Sequence, residues 1–224
     1  MSLVAEARNP IIRWEWIIDE WDQIREALVD HLVLTVLSVA LGVIVAAVLS
    51  ALALRFRFLV SPITGFTGFL YTIPSVALFG LLVPYFGLSR ITAVLPLAAY
   101  TLLILVTNTL AGFNAVPDSV RDAANGMGLT PVRRVVEVEL PLALPYIIAG
   151  LRIAVVSTVG LVTVAAIIGQ GGLGALILDG LQRTFWTPMT IGATLSIVLA
   201  LVLDGLIYVF GRIATPWSQR ARAS

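Results

Sequence analysis

Residues 32–54 carry no charged side chain. At about 1.5 Å per residue, a helix over such a run crosses the ~30 Å of hydrocarbon in a bilayer. No water reaches that layer, so every backbone N–H and C=O must bond within the protein, and a continuous apolar run of this length does so as a helix. Residues 91–113 form a second uninterrupted run of the same kind. Residues 145–168 and 190–211 form two more, which include Arg152 and Asp204 respectively. Residues 58–88 are also uncharged but are broken by Pro62, Pro74 and Pro84. They contain no polar loop that would separate two crossings. They therefore read as one bent span with a short re-entrant or interfacial piece at 75–88. A polar, glycine-rich link at 169–189 precedes the last span. The expectation is an all-α polytopic membrane protein of about five transmembrane helices.

The composition agrees. Of 224 residues, 59% are hydrophobic and 12% charged, with a mean hydropathy of +1.00, whereas a soluble domain is about a quarter charged. A net charge of +1 suggests no nucleic-acid partner. The absence of cysteine excludes disulfides, thiolate chemistry and cysteine–zinc sites. With one histidine and no carboxylate pair, the chain offers no metal site and no nucleophilic triad. That histidine, His31, sits at the edge of the first span and reads as an interface residue.

Five crossings place the termini on opposite sides. One set of loops holds Arg55, Arg57, Arg121, Arg133, Arg134, Arg212, Arg220 and Arg222; the other holds Arg8, Arg13, Arg25, Arg90 and Arg183. The positive-inside rule puts the richer set in the cytoplasm. Residues 1–30 carry seven acids and no leading apolar run, so they are expected to stay in the mature protein as an extracytoplasmic segment. Residues 31–214 form the membrane domain and 215–224 a cytoplasmic tail. Within the first segment, Trp14, Ile17, Ile18, Trp21, Ile24 and Leu28 recur at helical spacing. They predict an amphipathic helix over 14–28 that lies on the outer headgroup layer or packs against a partner chain.

Residues 118–141 interrupt the apolar chain with charge. Asp118 or Ser119 is available to cap a short helix over 119–127, which Gly126 and Gly128 can end. Thr130 followed by Pro131 reads as an N-cap and first-turn proline of a second helix, ending before Pro141. The result is a helix–turn–helix on the cytoplasmic face. Ala123 and Ala124 give it a flat surface suited to docking into another protein.

Asp122-Ala123-Ala124, then Gly128, then Val138-Glu139-Leu140-Pro141 resemble the "EAA" signature of ATP-binding-cassette (ABC) importer permeases. That signature runs acid-Ala-Ala, three residues, Gly, nine residues, Ile-x-Leu-Pro. Asp122 stands where the pattern has Glu, and Val138 where it has Ile. TIPSVALFGLLVP at 72–84, VELPLALPYIIAGLR at 138–152 and IIGQGGLGALILDGLQ at 167–182 further resemble the osmoprotectant branch, which imports glycine betaine, choline and carnitine. The resemblance implies the type I ABC importer fold, with two permease chains, identical or related, forming the pathway. It implies two cytoplasmic ATPase subunits that grip Asp122, Ala123, Ala124, Gly128, Val138, Leu140 and Pro141. It also implies an extracytoplasmic substrate-binding protein. The chain has no GxxxxGK[ST] loop, so ATP and Mg are expected on the partner ATPase and no cofactor on this chain. It ends about ten residues after its last span, so the binding protein is expected to be a separate polypeptide.

Polar or small residues inside spans are the pathway and gate candidates: Tyr71 and Ser75 beside the Pro74 break, Asn108, and Gln170, Gly171 and Gly172 of the link. Each has a packing role or a plain turn as its alternative. Arg152 and Asp204 lie at matching depths in the last two spans, roughly 10 and 12 Å from the same side at 1.5 Å per residue, and are candidates for an intramembrane ion pair. The same architecture could import methionine or another small solute. A secondary transporter would show internal repeats and ion-coupling acids; no repeat is visible and Asp204 is the only acid within a span. The arginine count predicts that a cysteine at Ser119 or Thr130 is labelled only from the cytoplasmic side and one at Ser2 only from outside. Labelling of both from one side overturns the five-span topology.

Overall fold

The structure, a computed structural model, describes residues 10–217. Arg8, Arg220 and Arg222, which entered the arginine count, lie outside the described residues, as does Ser2. Among the described residues, all regular structure is helical. The elements are α1 (Trp14–Asp19), α2 (Trp21–Arg55), a 3-10 turn (Arg57–Leu59), α3 (Val60–Thr72) and α4 (Ser75–Phe86). Then come α5 (Arg90–Asn114), α6 (Asp118–Gly126), α7 (Pro131–Arg134) and a π-helical turn (Val135–Glu139). The chain ends with α8 (Leu140–Val164), a 3-10 turn (Ala165–Ile168), α9 (Leu173–Gln182) and α10 (Trp186–Ala214). α2, α5, α10 and the stretch Pro131–Ile168 are each long and apolar enough to cross a membrane, and α3 and α4 qualify as a pair.

α3 and α4 meet at a 92° bend. Pro74 lacks an N–H and keeps the preceding Ile73 extended, at φ −70° and ψ 128°. The bend leaves the Ile73 carbonyl without a helical partner, and the Tyr100 hydroxyl of α5 donates to it. The arms have 13 and 12 residues, about 20 Å each, so neither crosses alone. α3 packs Val60, Ile63 and Leu70 against Ala53, Leu102 and Leu105. α4 buries Phe79 among Leu34, Ala93, Leu97 and Val162, toward the other end of the bundle. The two arms are long and apolar enough to cross only together, and the second is nearly as long as the first.

α5 is the central helix, packed between α2 and α8. A Cβ added to Gly150 of α8 would fall 2.6 Å from the Asn108 Cβ of α5, and one on Gly42 of α2 would fall 1.8 Å from Thr101 Oγ1. Helices in lipid gain no hydrophobic drive from meeting one another, so close van der Waals contact at small residues holds them. The start of α2 and the start of α5 share one end, where Arg90 reaches Asp30 at 2.6 Å.

Two expectations are corrected at that end. The amphipathic helix over 14–28 is divided at Glu20: 14–19 form α1, while residues 21–28 are the first turns of α2. Helix α2 therefore runs unbroken through residue 30. Part of the apolar stripe is covered by this chain's own α9, because Ile24 and Ala27 pack on Leu173 and Leu176. The Trp16 ring meets the Phe185 edge at 5.7 Å, while Trp14, Ile18 and Trp21 stay exposed. The glycine-rich link, in turn, contains the ten-residue helix α9; its glycines hid an apolar face that only α2 and α10 reveal.

α10 leaves most of its apolar surface uncovered within the chain, including Ile197, Leu201, Leu206, Phe210 and Ile213. It joins α8 through a bidentate ion pair. Arg152 Nε and Nη2 donate to Asp204 Oδ1 and Oδ2, each at 2.7 Å, and the guanidinium lies 5.0 Å from the Tyr208 ring centroid. An isolated charge within a span costs at least about 2.5 kcal/mol, and removing one partner strands the other. Arg152→Ala and Asp204→Ala are each expected to lower the yield of assembled complex and transport in membranes severalfold, and the Arg152→Asp/Asp204→Arg exchange to recover part of the loss. Normal single variants, or losses that simply add in the exchange, contradict a load shared by the pair.

Candidate functional site

The charged insertion is built from α6, α7 and the π turn. α6 begins at Asp118 after the extended Pro117 (ψ 142°), and neither Asp118 nor Ser119 acts as a side-chain cap. Asp118 is already the first helical residue, where its carboxylate complements the helix dipole and meets Arg121 Nη1 at 2.9 Å. The C-terminus closes as a Schellman motif. Gly128 N donates to Asn125 O at 2.9 Å and Leu129 N to Ala124 O at 3.2 Å, with Gly128 at φ +77°. Gly128, not Gly126, ends the helix; Gly126 is its last residue. Thr130 caps α7 by accepting from Arg133 N, with Pro131 in the first turn as the sequence predicts.

The second helix does not stop before Pro141. It continues through the π turn into α8, and Pro141 and Pro145 both lie within the continuous helix. A proline ring normally clashes with the carbonyl four residues earlier. For Pro141 that carbonyl belongs to Glu137, inside the π turn, and such local widening of the backbone is one way a helix admits a proline.

Of the residues matching the signature, Asp122, Ala123, Gly128 and Leu140 are exposed, Val138 and Pro141 are partly buried, and Ala124 is buried. Asp122 and Ala123 therefore point away from the bundle, together with Met127, Val132 and Val136, which are also exposed. Arg121, Ala124 and Asn125, spaced i, i+3, i+4, face the rest of the insertion, Ala124 buried and Asn125 at the exposed edge. There the structure assembles a cluster that the sequence does not announce. Glu139 is buried; its Oε1 accepts from Arg134 Nε at 2.7 Å and its Oε2 lies 3.6 Å from Arg121 Nε. Arg134 Nη1 also donates to Asn125 Oδ1 at 2.8 Å, and Arg121 Nη2 to the Phe113 carbonyl at 2.6 Å. The sequence shows at 139 only the last of four charges over 133–139, directly before an apolar stretch.

The pathway candidates do not form one constellation. Tyr71 is exposed beside the bend, its ring 5.8 Å from that of Tyr100, and Ser75 opens α4 half-buried. Asn108 packs on Gly150 and donates to the Ile104 carbonyl of its own helix at 2.8 Å. Gln170, Gly171 and Gly172 line a cavity of about 220 Å³ with Glu26, Asp30 and Arg90 at the α9 end. Tyr71, Ser75 and Asn108 do not reach it. Gly172, at φ +47°, lies against the backbone of His31. His31 is fully buried inside the bundle, where its Nε2 donates to the Val159 carbonyl at 3.1 Å. It packs within the chain, so the reading of His31 as an interface residue is corrected.

Residues 38–213 match the family described as "binding-protein-dependent transport system inner membrane component". The osmoprotectant import permease protein OsmW of Salmonella typhimurium is 37% identical, with 90% of this chain and 96% of that protein covered. The choline transport system permease protein OpuBB of Bacillus subtilis is 34% identical, with 84% and 86% covered. Among solved structures, a chain of the MetNI methionine ABC transporter superposes with a TM-score of 0.75 at 20% identity, covering 91% of this chain and all of that one; at this identity the likeness shows the fold alone. Matched over most of its length in sequence and fold, the chain belongs to the family of binding-protein-dependent transport system inner membrane components: it is the permease subunit of an ABC importer, and ATP hydrolysis falls to a separate subunit.

Proposed function

We propose that this permease forms the translocation pathway for small osmoprotectants of the glycine betaine, choline and carnitine class. The observation that carries the reading is identity over nearly the whole chain to permeases whose names give osmoprotectant and choline transport. The methionine alternative has only a likeness of fold behind it. In this reading the insertion and the C-terminus face the cytoplasm and the N-terminus faces out, as the arginine distribution requires. Two ATPase subunits dock on the exposed face of Asp122, Ala123 and Met127 and carry the ATP and Mg, while the permease itself holds no cofactor. A second permease chain, identical or related, completes the pathway, and the uncovered apolar surface of α10 supports such a partner or lipid at that face. An extracytoplasmic binding protein delivers the solute. Tyr71, Ser75 and Gln170 are the gate residues we favour, since Asn108, Gly171 and Gly172 are engaged in packing.

Two experiments test this. Reconstituted with its ATPase and binding protein, the complex is expected to hydrolyse ATP faster with glycine betaine, choline or carnitine and not with methionine; stimulation by methionine alone overturns the substrate class. Gly128→Val places a β-branched residue at φ +77°, at a cost of about 1–2 kcal/mol in the turn. That variant is expected to insert and assemble but to lose stimulated ATP hydrolysis. Wild-type stimulation would reduce the turn to a connector.

A further inference from the structure

Helix α6 has very little apolar anchorage. Ala124 is its only buried residue, and a nine-residue helix has no stability of its own in water. What orients it is polar. Arg121, from α6, reaches the Phe113 carbonyl at the end of α5 and the Glu139 carboxylate at the start of α8. Arg134, from α7, bridges Asn125 of α6 to the same carboxylate. Two guanidinium groups from opposite sides of the insertion therefore converge on one buried acid. That acid sits on the π turn, where the helix leading into the span departs from regular hydrogen bonding. Without the acid, α6 would be joined to α8 mainly through the residue 127–130 turn, the Arg134–Asn125 hydrogen bond and limited packing on α7 and the π turn.

We propose that Glu139, clamped between Arg121 and Arg134, is a positioning residue that makes α6 and the α8 span move as one rigid lever. Closure of the ATPase against α6 is thereby delivered to α5 and α8 instead of being absorbed in the turn. Glu139 faces the bundle, away from the exposed docking face, and acts through the two arginines rather than on ATP or solute. The inference rests on the coupling role assigned to the insertion above. It adds that transmission depends on a charge cluster buried behind the docking surface.

The test uses the assembled complex in nanodiscs, with spin labels at Ser119→Cys in α6 and Leu142→Cys in α8; the chain has no native cysteine to interfere. In the otherwise wild-type protein the Ser119–Leu142 distance distribution is expected to be narrow and the same with ADP and with ATP plus vanadate. Glu139→Gln is expected to broaden it and make it nucleotide-dependent. In parallel, glycine betaine uptake per ATP hydrolysed is expected to fall about tenfold, within the usual range of coupling energies, while assembly and basal ATP hydrolysis persist. Glu139→Asp should restore part of the uptake. Because Glu139→Gln leaves Arg134 without its carboxylate and Arg121 with only Asp118, the Arg121→Gln/Arg134→Gln/Glu139→Gln variant serves as a second probe. It leaves no buried charge without a partner, the exposed Asp118 alone losing its arginine, and it should show the same broadened distances and the same uncoupling. Unchanged distances in both variants, or uptake that falls only in proportion to the amount of assembled complex, overturn the lever. If the unmodified complex moves no glycine betaine, the substrate class fails while the distance measurement still decides the clamp.

Discussion

The fold depends on the absence of water in hydrocarbon. Every backbone polar group at that depth must find a partner inside the protein, and an unpaired one costs several kcal/mol. Regular helices satisfy this requirement automatically, so the informative places are those where the helix is broken. At the Pro74 bend the freed carbonyl of Ile73 is taken by the Tyr100 hydroxyl from the neighbouring central helix. At Pro141 the chain avoids a break altogether by passing through a π turn. At the glycine loop, Gly169 and Gln170 close back on the carbonyls of Ala166 and Ala165, and Gly172 settles against α2.

The same constraint separates the two kinds of polar residue in this chain. Threonines within the spans mostly return their hydroxyls to their own helix, as Thr101 does to Ala98 and Thr158 to Ala154. They pack without leaving a group unpaired. Charges need a partner of opposite sign. Arg152 is answered by Asp204 from another helix, and Glu139 by Arg121 and Arg134. The first pair joins the last two spans across 52 residues, and the second cluster ties helix α6 to the neighbouring start of α8.

In the function proposed here, continuity between the insertion and the span is what would carry a push from the ATPase into the bundle. Helix α6 presents Asp122 and Ala123 outward on a face with almost no apolar grip on the bundle. The second limb of the insertion, by contrast, runs into α8 without a loop, from Pro131 to Ile168. A push on the insertion thus meets a continuous helix that packs along most of the central α5.

The approximate positions of the long apolar helices, the Gly128 turn, the Thr130–Pro131 helix start and the family signature were all legible in the sequence. Each follows from local chemistry: charge-free length, a glycine placed for positive φ, a hydroxyl before a proline. The Arg152–Asp204 match was legible too, because depth along a span is a count of residues. Three features were not. Whether a proline breaks a helix or is absorbed by a π turn depends on the packing around it, so Pro74 bends the chain and Pro141 does not. The helix inside the glycine link shows its apolar face only against α2 and α10. The convergence of Arg121, Arg134 and Glu139 needs the insertion to fold back on itself. Sequence settled which long apolar stretches are helical, because solvation of the backbone is a local property. Which charges meet, and which irregularities are tolerated, was decided only by tertiary structure, because a desolvated group is satisfied by whichever neighbour the packing brings to it.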